Sequence, residues 1–177
     1  VYFNTAGSTG DNWYDSTPDI SYSCTTPAPG GAGNITNSPL LLSYSHIHLN
    51  SPCVGAGSSN FVSGTDIDGE SWGVSPSMGC DEPRAPFSGE LKVSIAGKRT
   101  AVVPGAELSL SADIDVEVAS NRWTFGNGVV VTNSAFVSQS WTATGAYHVV
   151  LTAWNDEHPG GVLATVLVDV VDGDYYV

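Results

Sequence analysis

The run Asp66-Ile67-Asp68-Gly69-Glu70 sets carboxylates at alternate positions around a glycine, which is how calcium loops collect hard oxygen ligands. A full loop of that kind closes on an acidic ligand near its roughly twelfth position, where Ser77 stands here. Asp66, Asp68 and Glu70 therefore read either as a partial calcium site or as a glycine turn with solvated carboxylates. His46 and His48 alternate along the chain and share a face of any strand, an arrangement that suits a metal but lacks an evident third ligand. Catalytic machinery is thinly supplied. No Gly-x-Ser-x-Gly elbow supports acyl transfer. Asp11, Asp15 and Asp19 fall in one turn-rich loop with no second acidic cluster of similar density for glycoside hydrolysis. Arg84 is the first basic residue in the chain, so a base beside a calcium site is also wanting. The expected role is binding, with no enzymatic activity and with calcium as the one cofactor in view.

Other residues suit recognition. Trp13 and Tyr14 lie in a polar loop and Trp72 in Gly69-Glu70-Ser71-Trp72-Gly73. Aromatic faces stack on the C–H surface of sugars, so these three either contact carbohydrate or a partner, or cap an apolar end of the fold. Cys24, Cys53 and Cys80 are nearly evenly spaced and match no zinc pattern. They read as a Cys24–Cys53 disulfide with one thiol left over, or as three small buried apolar groups. The 177 residues carry 18 acidic against 5 basic side chains, a net charge of −13. That field repels nucleic acid and anionic membrane surfaces. No apolar run is long enough to insert in a membrane.

These residues need elements to hold them. From about residue 85 onward, strict alternation of apolar and polar residues appears: Leu91–Ile95, Leu108–Val118 and Tyr147–Trp154, with a last strand at Val162–Val171. Turn signals separate them, at Pro104-Gly105, Gly126-Asn127-Gly128, Thr144-Gly145 and His158-Pro159-Gly160-Gly161. Strands at this spacing without helical periodicity predict a small β-sandwich. Before residue 85, short apolar patches are broken by Gly, Ser, Pro and Asn.

The segments Arg122-Trp123-Thr124-Phe125-Gly126-Asn127-Gly128 and Gly145-Ala146-Tyr147-His148-Val149-Val150-Leu151-Thr152-Ala153-Trp154-Asn155 resemble the polycystic-kidney-disease (PKD) domain. That family is an immunoglobulin-like sandwich marked by Trp-Asp-Phe-Gly-Asp-Gly before a Gly-x-Tyr-x-Val-x-Leu strand. The likeness covers roughly 88–172, with Thr124 and Asn127 where the family has Asp. It makes Trp123, Phe125, Gly126, Gly128 and Tyr147 the core motif. Trp123 and Phe125 point the same way from one strand into the inter-sheet space, and the two glycines permit a positive-φ turn.

The first half is similar, over residues 1–83, to the C-terminal end of bacterial right-handed parallel β-helix proteins of the pectate-lyase-like fold. The phrases that carry this are Gly33-Asn34-Ile35-Thr36-Asn37-Ser38-Pro39-Leu40, Leu49-Asn50-Ser51-Pro52-Cys53-Val54-Gly55-Ala56-Gly57, Asp66-Ile67-Asp68-Gly69 and Met78-Gly79-Cys80-Asp81-Glu82. Short strands at Val1–Phe3, Leu40–Leu42, His46–Leu49 and Phe61–Val62 fit coils of about 20–25 residues. Val1, Tyr2 and Phe3 would then sit at an open coil end, an assembly surface or the scar of a longer chain. Tyr175, Tyr176 and Val177 offer an added strand for self-association.

The expected architecture is all-β: closing β-helix coils over 1–84 and a PKD-like sandwich over 85–177, joined by the stiff Pro83-Arg84-Ala85-Pro86-Phe87. The resemblances imply an extracellular, secreted or cell-surface structural or adhesive protein. Its partners would be protein, including copies of itself, or extracellular polysaccharide. The alternative from another class is an accessory, carbohydrate-binding region of a larger polysaccharide-degrading enzyme.

Overall fold

A computed structural model describes residue 13, residues 20–97 and residues 99–173. Eight strands form: β1 (Val93–Gly97), β2 (Ala101–Val102), β3 (Leu108–Ile114), β4 (Ser120–Thr124), β5 (Val130–Thr132), β6 (Phe136–Gln139), β7 (Gly145–Trp154) and β8 (Val162–Val170). The long strands coincide with the alternating runs. β3 buries Leu108, Leu110, Ala112 and Ile114 and exposes the residues between them, the burial pattern that period two demands.

The strands make a three-stranded sheet in the order β1-β3-β6 and a five-stranded sheet in the order β2-β8-β7-β4-β5. Every pairing is antiparallel except β2 with β8. The inner faces meet in one apolar core whose centre is Trp123, Phe125, Trp141, Val149, Leu151 and Val168. Trp123 and Phe125 are fully buried, with rings stacked 6.3 Å apart, as their shared strand face predicts. Trp141 meets Phe125 edge-on and donates its indole N–H to the Phe125 carbonyl at 3.0 Å, so this buried ring leaves no orphaned donor. Gly126 and Gly128 take φ of +71° and +89°. A Cβ on Gly126 would stand 3.2 Å from the backbone N and O of His148, so glycine is required there for space as well as for φ.

The chain separates into two compact units, one of residues 1–40 and 49–84, the other of residues 41–48 and 85–177. The short segment 41–48 thus folds with the sandwich. Leu41 and Ile47 form an antiparallel bridge, and Leu42, at 1% exposure, enters the sandwich core. Leu41 accepts from the Ala135 N–H at 2.7 Å and Leu42 from the Asn121 side-chain amide at 2.8 Å. Tyr44 packs edge-on to Phe136 at 5.4 Å and bonds its hydroxyl to Ser111. Leu40–Leu42 and His46–Leu49, expected as stacked solenoid strands, instead face each other across this one tight bend. Leu40 itself has φ of +50°, which no strand accommodates.

In the first unit, the described residues form no strand ladder. One isolated parallel bridge, Cys24 with Ile35, and one antiparallel bridge, Thr65 with Ser71, stand where rungs were expected. Phe61 ends a short 3-10 turn, Ser59–Phe61, in place of a strand. The physical reason is local. Glycines 31, 33, 55, 64, 69 and 79 all take positive φ, so the backbone reverses before a run long enough to ladder can form.

Candidate binding face

Asp66 is buried, and its carboxylate is consumed by the backbone of its own turn. Oδ1 accepts from the N–H of Asp68 at 3.0 Å and of Glu70 at 2.7 Å, and Oδ2 accepts from the N–H of Glu82 at 3.0 Å. Asp68 is exposed and Glu70 half-buried. Asp66 is therefore a turn-former, the Asx role of its residue type, and the alternating carboxylates do not face one centre as a calcium loop requires. Burial and the neighbouring Asp66 charge push the Glu70 carboxyl above its ordinary range, against the pull of Arg84. Glu82 is likewise spent on backbone, accepting from the Ser77 N–H at 2.7 Å.

Trp13 donates its indole N–H to the Pro27 carbonyl at 2.8 Å, and Trp72 is half-buried with its indole nitrogen enclosed. His46 holds the 41–48 bend, its Nδ1 2.8 Å from the Ser43 hydroxyl. Tyr14, Val1, Tyr2, Phe3, Tyr175, Tyr176 and Val177 lie outside the described residues.

Another surface, unmarked in the sequence, has the makings of a binding face. On the outside of the five-stranded sheet, the cross-strand rows run Thr132–Arg122–Thr152–Leu163 and Val130–Thr124–Val150–Thr165. Trp154 stands opposite Ser120, and His148 opposite Leu167, on the same face. Leu163 is 64% exposed and Val130 54%. The Arg122 guanidinium lies over the Trp154 ring, 5.6 Å from its centroid. The β7–β8 turn supports this indole. Gly161, with φ of +79°, brings the chain so close that a Cβ would fall 2.6 Å from the Trp154 ring nitrogen. Asn155 secures the turn, donating to Gly89 at 2.9 Å and accepting from the His158 N–H at 2.9 Å. Chemically, the face offers hydroxyls, aliphatic surface and one aromatic–guanidinium pair. Asp169 is the one carboxylate among its described strand residues.

Residues 91–170 match the PKD domain family model. This sandwich is a PKD domain. Solved structures similar to the chain include the PKD1 domain of the Vibrio cholerae metalloprotease PrtV, at 24% identity and TM-score 0.38 over 45% of this chain and 95% of that one. The PKD domain of the human VPS10 domain-containing receptor SorCS2 follows at 23% identity and TM-score 0.40, over 66% and 95%. That of an M14-like peptidase from a Thermoplasmatales archaeon has 16% identity and TM-score 0.38, over 44% and 91%. No curated protein matches the chain significantly. Among the described residues, no helix is long and apolar enough to cross a membrane.

The PKD motif's two departures now have physical readings. Asn127 caps its own turn, its Oδ1 accepting from the Val129 N–H at 3.2 Å, and an Asp carboxylate carries the same acceptor oxygen. Thr124 projects outward between Val130 and Val150, so a Thr in place of Asp leaves this outer face with one carboxylate fewer. Tyr147 of the motif packs on Trp141 at 5.6 Å and donates to the Ala143 carbonyl at 3.1 Å, closing the loop that precedes β7.

Proposed function

We propose that this chain is an extracellular adhesive module that acts by binding, and that the outer face of its five-stranded sheet holds a neutral polysaccharide. The observation that supports this is the grouping of Arg122, Trp154, Thr124, Thr132, Thr152 and Thr165 on one flat face beside exposed Leu163 and Val130. Sugar rings present an apolar C–H side, which packs on indole and leucine, and a rim of hydroxyls, which pairs with threonine and guanidinium. A chain of net charge −13 disfavours an anionic polymer, which leaves a neutral one. In the same reading the first unit serves as the closing cap of a β-helix. Its ordered Gly-Asn-Ile-Thr and Ser-Pro-Cys phrases support that role, with the Cys24–Ile35 parallel bridge as a remnant rung.

Affinity electrophoresis of the full chain through gels containing a β-glucan, a galactomannan or a xyloglucan tests the proposal. Retardation in at least one gel is expected. Leu163→Glu and Thr165→Glu, both at exposed positions, should abolish it while leaving unfolding unchanged. Equal mobility with and without every polysaccharide would overturn the reading. So would concentration-dependent association in sedimentation that the same substitutions remove, because the face would then be a contact between copies.

A further inference from the structure

Outside the sandwich, the first unit lacks what normally holds a fold of its size. Apart from prolines, its buried apolar side chains among the described residues are Cys24, Cys53 and Met78. Its described residues form isolated bridges and one three-residue 3-10 turn, with no strand. A unit that buries so little apolar surface does not offset its chain entropy through packing alone, and small extracellular domains meet that deficit with covalent staples. Two of its three buried apolar groups are cysteines, and the structure puts them together.

We propose that Cys24 and Cys53 form an intrachain disulfide that staples the first unit, while Cys80 remains a thiol. Both cysteines are buried, and their sulfurs lie within hydrogen-bonding reach of one another. The backbone on each side is already fixed. Around Cys24, Thr25 donates to Ile35 at 3.0 Å and Ile35 to Ser23 at 2.9 Å. Cys53 donates to the Ser51 hydroxyl at 3.1 Å and accepts from the N–H groups of Met78 at 2.9 Å and Ala56 at 3.2 Å. Ser51 in turn donates to the Pro39 carbonyl at 2.6 Å. The Cys24 thiol also reaches the Asn37 carbonyl at 3.2 Å, and the neighbouring Cys24 side chain pushes Cys53 down to about 7 while Cys24 moves up.

Cys80 differs in every respect. It is exposed, and burial of its sulfur together with the charges of Asp81, Asp68 and Asp66 pushes its thiol up, which suppresses the nucleophilic thiolate.

The chemistry needs an external disulfide, such as oxidised glutathione. In the still-open chain, one cysteine thiolate attacks a sulfur of that disulfide and expels one thiolate. The second cysteine gives up its proton and attacks the mixed disulfide, expelling the other. Two protein thiols are oxidised to one S–S bond and the small disulfide is reduced to two thiols.

The test uses the full chain, refolded with a glutathione redox pair and then denatured with iodoacetamide. One alkylation is expected without reductant and three with it. Trypsin cannot separate the cysteines, because Arg84 is the first basic residue, whereas chymotrypsin cuts at Tyr44 between Cys24 and Cys53. A chymotryptic pair carrying Cys24 and Cys53 that parts on reduction is expected, and it should persist in Cys80→Ser. Three alkylations of the oxidised chain, or a link that includes Cys80, would overturn the assignment. Closing a loop of about 30 residues shifts the folding equilibrium by up to several hundredfold in the chain-entropy picture. Reduction should therefore raise proteolytic cleavage within 25–52 by at least about tenfold. A change under threefold would refute the stapling role.

Discussion

Asn121 decides whether segment 41–48 is an integral part of the PKD sandwich or a loop resting on it. This side chain is 1% exposed on β4. Its amide donates to the Leu42 carbonyl at 2.8 Å, and its Oδ1 accepts from the Ser134 N–H at 3.0 Å. Replacing Asn121 by Ala removes both partners at once and strands a buried carbonyl and a half-buried N–H. At about 1–3 kcal/mol for the buried carbonyl and about 1–2 kcal/mol for the half-buried N–H, the expected loss is about 2–5 kcal/mol. With a urea slope of about 1.5 kcal/mol/M, a loss near the middle of that range lowers the midpoint by about 2 M. The assay is urea unfolding followed by fluorescence of the sandwich tryptophans Trp123, Trp141 and Trp154, in a background where Trp13 and Trp72 are Phe. Amide exchange at Ala135, whose N–H donates to Leu41, gives an independent local readout and should accelerate. Asn121→Asp retains the acceptor for Ser134 but sets a carboxylate oxygen against the Leu42 carbonyl, so it should be no milder than Ala. A loss below about 0.5 kcal/mol for Asn121→Ala, the level of an ordinary surface change, would refute the account.

The turn glycines of the PKD motif should separate two effects. Gly126→Ala meets both the positive φ and the His148 backbone, whereas Gly128→Ala meets φ alone in open space, so the first should cost about 2–3 kcal/mol and the second about 1 in thermal unfolding. Equal losses would show that space at Gly126 does not matter. Glu70 gives a pH signature. Its folded carboxyl titrates above the ordinary 4.5, so the unfolded chain ionises first and ionisation favours unfolding. Stability from this group is present below about pH 4.5 and fades as pH rises through the folded value. Glu70→Gln should accordingly stabilise the first unit at neutral pH and bring no gain below that range, read by proteolysis of residues 49–84 against pH. A gain that persists in acid would contradict this. Gly161→Ala should weaken polysaccharide retention by disturbing Trp154 without unfolding β7, as checked by electrophoresis beside far-ultraviolet dichroism.

Much of the sandwich was legible because its signal is local. Alternation in Leu108–Ile114 and Gly145–Trp154 is written residue by residue, and any sheet that buries one face of such a strand must bury those side chains. Trp123, Phe125 and the two turn glycines were equally readable, since a shared strand face and a positive-φ turn are both short-range properties. The first half read less well. Its ordered phrases resemble stacked coils, but stacking is a relation between distant segments, and among the described residues it appears only as isolated bridges between glycine reversals. The carboxylates of Asp66, Asp68 and Glu70 had the spacing of ligands, yet spacing does not say which way a side chain turns. Asp66 turned inward because three unpaired backbone N–H groups needed an acceptor.

What the sequence determined by itself is the strand inventory of the PKD domain, its buried motif and the acidic character that limits its partners. What only the tertiary structure decided is adjacency across the chain. Leu42 reaches Asn121 across a sequence separation of 79 residues. Arg122 and Trp154 meet on one outer face because β4 and β7 pair in a register that no local pattern encodes. The Cys24–Ile35 bridge and the Met78–Cys53 bond, neither of them written in a local pattern, fix the backbone around the two buried cysteines. Burial and hydrogen-bond satisfaction are properties of the closed chain, and they choose among contacts that spacing leaves equivalent.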